Sequence, residues 1–154
     1  MDTAYKTTLE LDKVLNRAVQ LCACQETKEM MQALEPAPTI EDERYDLTQT
    51  NAINALLIKN GSPRFGSVRE VRRIVAHARK GGILSMGELL EIAATLRNFS
   101  GLSQWYGLSE HEMLPTDDLF FSLAPQPVLE KQISESILSP EEMADTASVT
   151  LHDL

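Results

Sequence analysis

The first residues to test for chemistry are the glycines of Gly61-Ser62-Pro63-Arg64-Phe65-Gly66-Ser67-Val68, which have the spacing of a phosphate-binding loop ahead of a helix. Such a loop needs a lysine for the terminal phosphates and a serine or threonine for Mg²⁺, and those places hold Ser67 and Val68. A helical pattern also precedes the loop where a strand is required, so the segment reads as an interhelical connection. Glu88 and Glu91 fall on one side of a helical pattern, and Glu110-His111-Glu112 sets an imidazole between two carboxylates. Neither group has a nucleophile or metal-ligand spacing around it, and both read as exposed polar decoration. His77 and His152 have no partner that spacing identifies. Cys22 and Cys24 are the only thiols. Two apart on one helix they diverge by about 200°, unable to bridge or to share a metal, and Cys22 lies on the apolar side as a small buried hydrophobe. No catalytic, cofactor-binding or metal-binding residue is expected in the chain.

Charge is more informative. The 154 residues carry 14 Lys and Arg against 23 Asp and Glu, a formal net charge of −9, which disfavours the chain as a whole wrapping nucleic acid. Yet Lys59, Arg64, Arg69, Arg72, Arg73, Arg79 and Lys80 crowd into residues 59–80 with Glu70 as the sole carboxylate there. One helix and the loop leading to it form a basic island on an acidic body. At about 100° per residue, Arg69, Arg72, Arg73, Arg79 and Lys80 share one side, with Val71, Ile74, Val75 and Ala78 opposite. Arg64, Arg69, Arg72, Arg73, Arg79 and Lys80 are therefore the candidate contacts, either for phosphate or for an acidic surface of another domain or subunit. A merely solvated helix face is the third reading of the same stripe. Phe65 is the sole aromatic beside the island, so the interleaving that single-strand binders use for base stacking is missing.

The elements that must position these residues are helical throughout. Val14, Leu15, Ala18, Val19, Leu21 and Cys22 form one arc of an amphipathic helix, and a second helical stretch from Thr27 to Leu34 stops at Glu35-Pro36-Ala37-Pro38. Thr39 caps a helix from Ile40 to about Asn60, with Leu47, Ile53, Leu56 and Leu57 as core candidates and Gly61 as the stop. Ser67 with Glu70 forms a capping box that opens a helix from Val68 to Arg79, ended by Gly81 and Gly82. Ser85 with Glu88 opens a long helix to Trp105 or Tyr106, and the short glycine turn between the two suggests an αα-hairpin. Ser109 with Glu112, a short apolar Leu119-Phe120-Phe121, a helix from Val128 to Leu138 and the helix-start signature Ser139-Pro140-Glu141-Glu142 follow. With no useful strand alternation, the expected fold is all-α, an antiparallel bundle or orthogonally packed helices. At 17.2 kDa one domain of this size buries roughly two-thirds of the surface of its unfolded chain. With neither a leader-like apolar segment nor an apolar run near the roughly 18 residues of a spanning helix, a cytoplasmic location and no membrane partner are expected.

Leu9-Glu10-Leu11-Asp12-Lys13-Val14-Leu15, Gly66-Ser67-Val68-Arg69-Glu70-Val71, and Lys80-Gly81-Gly82-Ile83-Leu84-Ser85 followed by Glu88-Leu89-Leu90-Glu91-Ile92-Ala93 together resemble the second bacterial MutS subfamily, the mismatch-repair-like ATPases without a mismatch-recognition domain. Met143-Ala144-Asp145-Thr146-Ala147-Ser148 resembles that family's approach to its long clamp helix. The resemblance implies a helical core or lever over residues 1–107, an irregular linker with short helices over 108–138, and at 139–154 the lead-in to a truncated clamp helix. It implies a parent that is a homodimer with clamp, ATPase and usually C-terminal nuclease domains, acting in suppression of recombination through branched DNA or in rescue of collided ribosomes. ATP and Mg²⁺ belong to the absent ATPase domain, and no cofactor is expected here. Three functions follow as expectations: a non-catalytic lever, a nucleic-acid-binding module acting through the basic helix 68–80, or a free-standing acidic adaptor.

Overall fold

The computed structural model describes residues 8–64, 66, 69–108 and 112–147. Among these the chain forms seven α-helices and one two-stranded hairpin: α1 (Leu11–Leu21), α2 (Gln25–Gln32), α3 (Ile40–Asn60), α4 (Arg72–Arg79), α5 (Met86–Tyr106), α6 (Asp117–Phe121), α7 (Pro127–Ser136), β1 (Ile137–Ser139) and β2 (Glu142–Met143). The fold is mostly helical, as the sequence pattern requires.

The two longest helices start and stop where their caps dictate. At the head of α3 the Thr39 side chain accepts the Asp42 N–H, and Glu41, Asp42 and Glu43 sit in the first turn, where the helix dipole favours negative charge. Gly61 ends α3 at φ 72, a conformation costly for any residue with a Cβ. At the head of α5 the Ser85 hydroxyl accepts the Glu88 N–H at 3.3 Å while the Glu88 carboxylate accepts the Ser85 N–H at 2.8 Å, a complete capping box. Those hydrogen bonds from Ser85 hold the Glu88 carboxyl below the usual carboxylate range. A carboxylate so depressed contributes stability above its unfolded pKa and loses it as pH falls through the lower folded value. As the removal of an N-cap hydroxyl, Ser85→Ala should cost about 1 kcal/mol in urea denaturation at neutral pH. Glu88→Gln should flatten the fall in stability on the acid side; an unchanged acid limb in that variant would show the box to be irrelevant to it.

Helix α5 is the spine. Toward its N-terminal end Ala93 packs with Ile133 of α7 and Ile137 of β1, surrounded by Met86, Leu89, Leu90 and Ile92. Arg97 reinforces this side, donating from Nε and Nη2 to Glu130 of α7 at 3.0 and 2.6 Å. At the other end Trp105 and Tyr106 pack with Leu56 of α3, flanked by Ile53, Leu57, Leu114 and Phe120. Two small cores thus hang on one helix of 21 residues, about 31 Å long at 1.5 Å per residue. The second core is locked by reciprocal bonds: Trp105 Nε1 donates to the Gly61 carbonyl at 2.8 Å, and Asn60 Nδ2 donates to the Trp105 carbonyl at 3.1 Å. Below it Thr116, fully buried, donates to the Tyr106 hydroxyl at 2.8 Å, which donates to Asp117 Oδ1 at 2.7 Å. Phe120 stacks on the Tyr106 ring with centroids 3.9 Å apart.

Four expectations are corrected. Helix α4 begins at Arg72, with residues 69–71 non-helical, and not at Val68; Ser67 and Val68 lie outside the described residues. The reason is tertiary. Gly66 N–H is held by Asn98 Oδ1 of α5 at 3.0 Å and Arg69 reaches Glu91 of α5 at 3.6 Å, which straps the segment before Arg72 to the spine. The end of α4 follows expectation, with Gly81 at φ 80 donating to the Ala78 carbonyl and Gly82 to that of His77. Second, Ser139-Pro140-Glu141-Glu142 is the turn of the β1–β2 hairpin and starts no helix. Proline fixes φ near −65°, a value that suits the second position of a tight turn as well as the first position of a helix, and the chain closes through Ala144 N–H to the Ser136 carbonyl at 2.9 Å. Third, Leu47 is 53% exposed, while Leu56 is buried and Ile53 and Leu57 are half-buried against it.

The fourth concerns compactness. Among the described residues nine apolar side chains are buried, whereas Val14, Leu21, Met30, Ile58, Phe121 and Val128 are all at least 62% exposed. No helix among the described residues is long and apolar enough to cross a membrane.

Candidate partner-binding surfaces

The structure divides the basic island in two. Arg72 on α4 pairs with Glu26 of α2, and Arg69 pairs with Glu91 of α5, so these two cations fasten α4 to its surroundings. Arg64, Arg73, Arg79 and Lys80 are exposed and enter no ion pair among the described residues. Arg73, His77 and Lys80 recur at i, i+4 and i+7, one stripe of α4. On the opposite side Ile74 is buried, but Val75 is 41% exposed. The apolar face of α4 is therefore only partly covered. Beside it an open groove of about 420 Å³ is bounded by Arg69, Arg72 and Arg79 and by Val71, Val75 and Phe99.

The cysteines do not share a helix. Cys22 closes α1, its thiol donating to the Ala18 carbonyl at 3.4 Å, and Cys24 precedes the first residue of α2 in extended backbone. The Thr27 hydroxyl, 2.9 Å from the Cys24 sulfur, and the Thr27 N–H lower that thiol's pKa. Cys22, expected in the core, is half-buried. No cluster of three or more His, Cys, Asp or Glu among the described residues has the arrangement of a metal site.

The remaining sequence candidates resolve into structural roles or fall outside the description. Glu88 is engaged in the capping box and Glu91 with Arg69. In the glycine-spaced segment Gly61 caps α3 and Gly66 binds Asn98, while Phe65, Ser67 and Val68 are outside the described residues, as are Glu110, His111 and His152. Burial raises the Tyr106 hydroxyl pKa to about 12, so it stays protonated as a donor and serves packing.

Sequence reasoning missed an acidic groove between α1 and the N-terminal half of α3. Leu11 and Leu15 of α1, Leu34 of the connection after α2 and Leu47 of α3 line its floor, and Glu35, Glu43 and Asp46 its rim, around about 450 Å³. Residues 40–48 of α3 are all exposed. The available signal was Leu47 and Tyr45 among carboxylates in the first half of α3, a half with no continuous apolar stripe.

Comparison with known proteins places these surfaces in context. The chain is 29% identical over 145 residues, 93% of its length, to the Endonuclease MutS2 of Clostridium beijerinckii. It is 28% identical over 154 residues to that of Lachnospira eligens and 30% identical over 156 residues to that of Ruminiclostridium cellulolyticum, both matches covering the whole chain. These stretches are 18%, 19% and 20% of the respective proteins, so the chain spans about a fifth of the length of the curated relatives it matches. No family model and no solved structure matches it. The chain is thus MutS2-related, at a distance, to a small segment of those proteins.

Proposed function

We propose that this chain is a non-catalytic lever within a MutS2-like protein, transmitting movement generated by an ATPase domain to a clamp. The observation that carries this reading is the spine. Because α5 holds Ala93 in one core and Trp105 with Tyr106 in the other, displacing α3 at one end must displace α7 and the β-hairpin at the other. A lever needs such a continuous body and no active site of its own. The large exposed apolar area supports the reading too, since a segment that works inside a larger protein leaves apolar faces for its neighbours. In the same proposal, ATP and Mg²⁺ act in the ATPase domain, the parent is a cytoplasmic homodimer, and branched DNA or the ribosome is engaged through the clamp. Spin labels on cysteines at Lys59 and Glu135, in a Cys22→Ser, Cys24→Ser background, test the rigid body: a single narrow distance distribution is expected, and a broad or two-peaked one contradicts it. Nucleotide hydrolysis by the purified chain would also contradict it.

A second reading is favoured by one observation, the four cations that enter no ion pair among the described residues. Arg64, Arg73, Arg79 and Lys80 form a phosphate-facing surface for duplex DNA or RNA without base specificity. Four phosphate contacts give a slope of about −3.6 for log Kobs against log salt. Arg73→Glu with Lys80→Glu should abolish binding, whereas Arg69 and Arg72, held by carboxylates, are the poorer positions to test. No binding at low salt removes this reading.

A further inference from the structure

We infer that the groove between α1 and the N-terminal half of α3 is the seat of a basic amphipathic α-helix supplied by the remainder of the longer parent protein, an inference that rests on the lever reading. The first ground is the floor. Leu34 and Leu47 are each 53% exposed, and with Leu11 and Leu15 they make an apolar trough between two helical walls. A trough of this kind accepts side chains spaced i, i+3 or i+4, and i+7 from a third helix. The second ground is the rim, where Glu43 and Asp46 supply carboxylates and no lining residue among the described ones is a cation. A helix carrying Lys or Arg beside its apolar stripe matches that rim, and an acid-flanked helix is repelled by it. The relatives leave room for the occupant, since four-fifths of each lies outside the matched segment.

The groove is also built to persist when empty. Thr39 caps α3, its hydroxyl within 2.8 Å of Asp42 Oδ2, and the Glu43 carboxylate accepts the Ala37 N–H at 3.4 Å, holding the proline-containing connection against α3. Farther along, the Pro115 carbonyl accepts Gln49 Nε2 at 2.9 Å and the Tyr45 hydroxyl at 3.3 Å, which ties the arm of α3 to the chain ahead of α6.

Peptides of about 20 residues, long enough for several helical turns, tiled along the Ruminiclostridium cellulolyticum Endonuclease MutS2 outside the matched segment, are the probe. Their binding to the 154-residue chain is followed by fluorescence anisotropy. At least one Lys- or Arg-rich amphipathic peptide should bind, and should lose at least tenfold in affinity on Leu47→Asp and again on Asp46→Lys. A version of that peptide with its cations changed to Glu should not bind. Leu47 and Asp46 are exposed, so the variants should keep the hydrogen-exchange protection of α3 as well as that of α5, which shows that a loss of binding is not a loss of fold. No binding peptide, binding indifferent to these variants, or equal binding by the acid version each overturns the inference. So does self-association of the chain that the same variants abolish, because the occupant is then a second copy. If the groove fails while α5 still exchanges as one unit, the inference falls and the lever stands; if α5 fails, the lever falls whatever the peptides do.

Discussion

Trp105→Ala should bring the chain close to unfolding. Trp105 is 7% exposed, packs against Leu56, has its ring centroid 6.0 Å from that of Phe120, and donates to the Gly61 carbonyl. Truncating a buried tryptophan typically costs 3–5 kcal/mol, roughly, through lost transfer energy and the cavity left behind, against a total stability of about 5–15 kcal/mol for a domain. This molecule, with two small cores in place of one large one, belongs at the lower end of that range. Urea denaturation followed by circular dichroism, since Trp105 is the only tryptophan, should show the midpoint collapse. Trp105→Phe separates the contributions: it keeps ring packing and removes the bond to Gly61, and should cost about 1 kcal/mol for that bond in addition to the smaller ring. Equal stability of Trp105→Ala and the parent would mean that the second core does not hold α3 to the spine.

Gly101 gives the second large effect, and it gives two signs at one position. It lies within α5 between the two cores, and a Cβ built there meets nothing within 4 Å. Gly101→Ala should therefore raise stability by about 0.5–1 kcal/mol, because alanine restricts the unfolded chain and favours helix without a clash. Gly101→Pro should cost about 3 kcal/mol or more by removing an interior hydrogen bond and forcing a kink. In that variant the halves of α5 should lose their joint behaviour, and the label distance between residues 59 and 135 should broaden. A proline variant as stable and as narrow in distance as the parent would mean that continuity of α5 carries nothing.

How far these features could be read in advance depends on the range of the interaction that fixes them. The bounds of α3 and the start of α5 are local: Thr39, Gly61 and the Ser85–Glu88 pair act within three or four residues and override little else, so the sequence pattern finds them. The start of α4 is not local. Its first turn is undone by Asn98 and Glu91, both on α5 and far along the chain from Gly66 and Arg69. Pro140 misleads for a different reason, since one φ serves both a helix start and a hairpin turn. For the basic island, helical projection groups the cations, yet only the tertiary fold pairs Arg69 with Glu91 and Arg72 with Glu26 and leaves Arg73 and Lys80 without an ion pair among the described residues. The acidic groove is the least legible. Amphipathic spacing marks Leu47 as a residue that wants cover, and says nothing of whether this chain or another supplies it.

A lever requires α5 to move as one body, and native-state hydrogen exchange along that helix tests this most directly. The amides from Leu90 to Trp105 should exchange through a shared opening, with one free energy and one sensitivity to denaturant, because both cores must release before the helix can unwind. If the half beside Trp105 opens at low free energy while the half beside Ala93 stays protected, the chain is two loosely joined pieces, and movement applied at α3 does not reach α7.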